Sequence, residues 1–84
     1  MFIKQITIEG VEGDVEIIRT DRGAVVIAND VEQFVGKHDD RDTRWAVACN
    51  AAKVICGTTK HGEPNATNSM LHDVLIEIER IAGC

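Results

Sequence analysis

The spacing of apolar residues changes once along this chain, and that change limits what it can fold into. Up to about residue 28 the apolar positions recur every second residue; from Thr43 onward they recur every third and fourth. The first spacing is that of half-buried strands and the second that of amphipathic helices. Strands gathered at one end of a chain and helices at the other specify an α+β domain of two layers. At 84 residues there is room for one such domain.

Three strands are expected. Residues 2–8 place Phe2, Ile6 and Ile8 on one face, interrupted by Lys4, with Ile3, Gln5 and Thr7 on the other. Gly10 to Asp14 supply turn residues. Residues 15–20 set Val15 and Ile17 against Glu16, Ile18 and Thr20. Thr20-Asp21-Arg22-Gly23 suits a tight hairpin, and residues 24–28 form a third, nearly all-apolar strand. An antiparallel meander follows. Asp30 and Gln33 have capping-box spacing, and Val31, Phe34 and Val35 fall on one helical face. That spacing predicts a short helix over 31–36.

Two longer helices complete the expected β-β-β-α-α order. In 43–56, Trp45, Ala48, Cys49, Ala52, Ile55 and Cys56 make an apolar stripe that Val47, Ala51 and Val54 widen. Only Ala46, Asn50 and Lys53 are left facing outward, so this helix should be buried on most sides. Asp39, Asp40 or Asp42 can cap its first turn, and Gly57 can end it. In 69–82, Leu71, Val74, Leu75, Ile78, Ile81 and Ala82 follow the amphipathic template, with Thr67, Asn68 or Ser69 as cap and Gly83 as stop.

Nineteen residues are Ile or Val and only two are Leu, and the Ile/Val excess falls on both faces of the expected sheet. Two helices cover one face. The surplus, with Ile76 and Met70 off the helical stripe, points to self-association or a partner interface. The competing expectation is that the short helix folds over the second face.

Charge excludes some classes. The formal net charge is −5, which disfavours nonspecific binding to nucleic acid. The segment 36–62 nevertheless carries five Lys and Arg against three Asp, between two acidic ends. No apolar run is long enough to span a membrane, and Met1 leads directly into alternating sequence without a leader pattern, so a cytoplasmic chain is expected. Three cysteines, an odd number, argue against a closed disulfide framework.

Catalytic patterns are hard to assemble. Cys49 and Cys56 lie on the buried stripe, about 10 Å apart along a helix and too far for a mutual disulfide; they read as small core hydrophobes. His38, Asp39, Asp40 and Asp42, or Cys56 and His61 with Cys84, lack metal-ligand spacing. Gly57-Thr58-Thr59-Lys60 holds the residue types of a phosphate loop in the wrong order. No cofactor is implied, and a non-enzymatic role is expected.

The most suggestive stretch is the loop before the last helix. Thr58, Thr59, Lys60, His61, Asn65, Thr67, Asn68 and Ser69 run directly into a helix N-terminus. Together with Arg41 and Arg44 they supply the ingredients of an anion site; the plain reading is a polar surface loop. Trp45 reads as a core anchor, or as a pocket edge beside those arginines. The leading functional expectation is a small interaction protein, homodimeric or higher, that blocks or adapts a larger protein, as compact acidic virus-encoded inhibitors do by analogy. The alternative is an oligomeric binder of a small anionic ligand such as a nucleotide, using the 58–69 loop. No family signature is legible in the residues.

Overall fold

The computed structural model describes residues 3–7 and 14–83. Phe2, Ile8, the turn expected over 10–13 and Cys84 lie outside the described residues. Four strands, β1 (Ile3–Thr7), β2 (Asp14–Thr20), β3 (Gly23–Ala28) and β4 (Val31–Gly36), are followed by α1 (Arg41–Cys56) and α2 (Asn68–Ala82). The sheet is antiparallel throughout, in the order β1-β2-β3-β4. The α+β class and the strands-then-helices order are as the change of spacing predicts.

The expected short helix over 31–36 is instead the fourth strand. Asn29 and Asp30 have φ of 45° and 71°, and Ala28 and Val31 are paired across them. Two consecutive left-handed residues make a type I′ turn, whose twist matches a hairpin. An N-cap requires extended backbone at that point, so Asp30 cannot cap a helix from this conformation. The helical spacing of Val31, Phe34 and Val35 is produced by a strand whose inward position 33 is polar. Gln33 is held by α1: its Nε2 donates to the Val47 carbonyl at 3.4 Å, and its Oε1 accepts from Asn50 Nδ2 at 3.2 Å.

The β2–β3 hairpin closes through Asp21-Arg22, with Thr20 opposite Gly23. Gly23 has φ of 152°, and a Cβ there would sit 1.9 Å from the Val35 carbonyl oxygen. Only glycine lets β3 and β4 meet at this corner.

Both helices pack on one face of the sheet, α1 over β3 and β4, α2 over β2 and β3 and touching β1. The core is Val15, Ile17, Ala24, Val26, Ala28 and Val35 from the strands against the inner stripes of the two helices. Ala24, Ala28, Ala48, Ala51, Ala52 and Ala82 are all fully buried, so helix and sheet backbones approach closely and the layer is thin. Asp40 caps α1, accepting from the Thr43 amide at 2.8 Å, and Thr67 caps α2, accepting from the Met70 amide at 3.2 Å. Gly83 ends α2 in the left-handed conformation at φ 84°.

Candidate functional site

The ten residues of the sequence-derived anion site fall in two places. α1 and α2 run antiparallel, so Arg41 and Arg44 at the start of α1 lie beside Glu79 near the end of α2. The 58–69 loop joins the opposite ends of these helices, about 20 Å away along a helix of sixteen residues.

At the arginine end the Arg44 guanidinium is already engaged. Arg44 Nε and Nη2 donate to Glu79 Oε2 at 3.0 and 2.8 Å, and its Nη1 donates to the Asp39 carbonyl. Arg41 Nη2 stands 3.7 Å from Glu79 Oε1. The Asp39 carboxylate in turn accepts from the Gly36 amide at 2.8 Å. The Arg44 side chain is only 14% exposed, so the arrangement clasps the end of β4, the start of α1 and the last turns of α2. Arg44 thus belongs to a structural ion pair, while the Arg41 side chain stays 63% exposed.

At the other end the loop satisfies much of its own backbone. Thr58 and Pro64 form an isolated bridge, and the Thr59 amide donates to the Glu63 carbonyl at 2.8 Å. The Gly62 amide reaches the Thr59 carbonyl at 2.9 Å, the Asn65 amide the Gly57 carbonyl at 3.0 Å, and the His61 amide the Thr59 hydroxyl at 3.3 Å. The result is a small closed turn. Lys60 and His61 stand exposed on it, as do Thr58, Thr59, Asn65, Thr67, Asn68 and Ser69. At the N-terminus of α2, the Met70 amide is taken by the Thr67 hydroxyl and the Leu71 amide by the Thr67 carbonyl.

Trp45 is half-buried against the core, and its ring lies 4.9 Å from that of His72, tilted at 45°. Burial pushes the Cys49 thiol above its usual range, with Lys53 opposing, and also raises that of Cys56. Both are therefore held as thiols at neutral pH, the form that is a poor nucleophile. Among the described residues, no three His, Cys, Asp or Glu side chains are grouped to hold a metal, and no helix is long and apolar enough to cross a membrane.

The sheet face away from the helices carries part of the Ile/Val surplus that the sequence analysis sets on a second face. Pairing places Ile18, Val25 and Phe34 in one row across β2, β3 and β4, with Ile3 of β1 in register beside Ile18. The next row is Glu16, Ile27 and Glu32, with Gln5 of β1 beside Glu16. Phe34 is 55% exposed, and Ile18, Val25 and Ile27 are only partly buried. A strand reading of 31–36 puts Phe34 here, and the Asn29-Asp30 dipeptide was the signal for it. Comparison with family models, with curated proteins and with solved structures returns no match for this chain.

Proposed function

We propose that this chain is a small non-enzymatic interaction protein whose binding surface is the open face of its sheet. The observation that carries the reading is the apolar row Ile18, Val25 and Phe34, set in a face that neither helix covers. Apolar side chains arranged contiguously on a rigid sheet, rimmed by polar ones, are the usual make-up of a protein-docking surface. A second apolar point, Ile76 at 53% exposure on α2, offers contact on the helical side. In this role the protein blocks or adapts a larger partner by occupying it.

The reading is tested by affinity capture with the immobilised protein beside two variants. A partner held by the wild type and by Lys60→Ala, but lost from Phe34→Glu, is the expected outcome. A partner held equally by all three, or lost only from Lys60→Ala, overturns it; the second result would favour the anion-binding loop.

A further inference from the structure

We propose that the free edge of β4 takes up an extended segment of another protein, added antiparallel to the sheet, with a basic residue opposite Glu32. The proposal goes beyond the reading of the open face: it uses the backbone of β4 and shares only Phe34 with the apolar row.

β4 is a terminal strand of the sheet. The two-residue turn Asn29-Asp30 makes Ala28 and Val31 a hydrogen-bonded pair. By alternation Val31, Gln33 and Val35 direct their N–H and C=O groups to β3, while Glu32, Phe34 and Gly36 turn theirs outward. Gly36 is already served there. Its amide donates to the Asp39 carboxylate at 2.8 Å, and its carbonyl accepts from the Asp39 amide at 3.2 Å. Among the described residues, no group bonds to the outward N–H or C=O of Glu32 or Phe34. The edge therefore offers two donors and two acceptors between Val31 and Phe34, and Asp39 closes it at Gly36.

Both sides of this short edge are apolar where they meet water. Val31 on the helix side is 45% exposed and Phe34 on the open side 55%, two of the three large apolar side chains exposed among the described residues. β4 holds neither proline nor lysine and pairs with β3 without a bulge, so devices that commonly blunt an edge are missing from it. An added strand satisfies the outward backbone groups and covers Val31 and Phe34 at once.

Glu32 is the one charge on β4, and it selects the occupant. A residue facing it on an added strand has its Cβ about 5 Å away, so a lysine or arginine there is paired and an acid is repelled. The net charge of −5 acts in the same direction. A second copy of β4 does not meet the requirement. Two-fold pairing sets Glu32 against Glu32, Phe34 or Gly36 of the other copy, and in the last register Asp39 already holds the Gly36 groups. The occupant is thus read, from its N-terminal end, as an apolar residue opposite Phe34, any residue opposite Gln33, a basic one opposite Glu32 and an apolar one opposite Val31. Strand addition rests on main-chain hydrogen bonds rather than wide burial, and an edge this short supports a dissociation constant on the order of 0.1 mM.

Fluorescence anisotropy tests this with a fluorescein-labelled, amidated peptide Thr-Val-Thr-Lys-Val-Thr titrated with the protein up to about 1 mM, and circular dichroism establishes that each variant is folded. Saturable binding to the wild type is expected, weaker by about tenfold or more when glutamate replaces the peptide's lysine. Glu32→Lys should reverse that preference, and Glu16→Lys, in the same row but two strands away, should leave it unchanged. N-methylation of the first valine and the lysine removes the two amides that face β4 and should abolish binding. N-methylation of the second threonine and the second valine, whose amides face away, should preserve it. Absence of saturable binding overturns the proposal, as does equal binding of the two charge forms or indifference to which amides are methylated. A loss caused equally by Glu16→Lys also overturns it, because the peptide would then lie across the face. None of these results touches the open-face reading, which stands or falls by affinity capture with Phe34→Glu.

Discussion

Asp40 shows how a single side chain decides where α1 begins. Three aspartates compete for that place in the sequence, at 39, 40 and 42, and each has a separate task in the structure. Asp39 accepts from the Gly36 amide, Asp40 caps the helix, and Asp42 lies in its first turn, where negative charge suits the helix dipole. Hydrogen bonds from the Thr43 amide and then its hydroxyl hold the Asp40 carboxyl below its ordinary value of 3.8 against desolvation, and Arg44 adds a smaller pull in the same direction. A carboxyl whose pKa is depressed by folding contributes stability above its unfolded value. That contribution is lost as pH falls through the lower folded value. Asp40→Asn keeps a good cap but removes the titration. Thermal unfolding from pH 6 down to pH 2 should therefore show a shallower acid decline for Asp40→Asn than for the wild type. Parallel declines would mean that Asp40 does not contribute to the pH dependence.

At the scale of the element, the contest over residues 31–36 is the instructive one. Local spacing favoured a helix because Val31, Phe34 and Val35 lie i, i+3 and i+4 apart. β3 decides otherwise: Val26 is wholly buried in the core and its outer edge needs a hydrogen-bonding neighbour. Asn and Asp are among the few residues that enter the left-handed region at low cost, so the turn that supplies this neighbour is permitted. Asp30→Gly should stabilise the protein by about 0.5 kcal/mol, since glycine is favoured at that turn position. Were 31–36 a helix capped by Asp30, the same change would cost a few tenths of a kcal/mol. Urea denaturation distinguishes the two signs. The strand assignment also moves Phe34 from a presumed inner helical face to the open sheet face, and the proposed function follows from that move.

For the whole molecule, the Arg44–Glu79 pair fastens parts that are distant in the chain. Arg44 reaches the segment leaving the sheet through the Asp39 carbonyl and reaches α2 through Glu79. Both side chains are largely shielded, at 14% and 21% exposure, so removing one leaves its partner's charge poorly solvated. Arg44→Met and Glu79→Gln should each cost about 1–2 kcal/mol. The double variant should cost less than their sum by about 1 kcal/mol, as a denaturation-based double-mutant cycle would measure. Strict additivity would show that the pair is not coupled. Charge counting along the sequence does not reveal the pair, because Glu79 lies thirty-five residues from Arg44 and reads locally as part of a solvated face.

The sequence by itself determined what depends on near neighbours. The period-two and helical repeats set three strands and two helices, and capping chemistry set their ends to within a residue or two. Gly23 marked the β2–β3 corner that no side chain could enter. The tertiary structure alone decided what depends on meetings across the chain. It recruited a fourth strand to the edge of β3, committed Arg44 to Glu79, and parted both arginines from the 58–69 loop by the length of a helix. It also brought Phe34 into line with Ile18 and Val25 on the face that the helices leave open. The physical reason is that hydrogen-bond pairing and charge neutralisation are satisfied by whichever groups the packed layers bring together, and spacing along the chain carries no record of that.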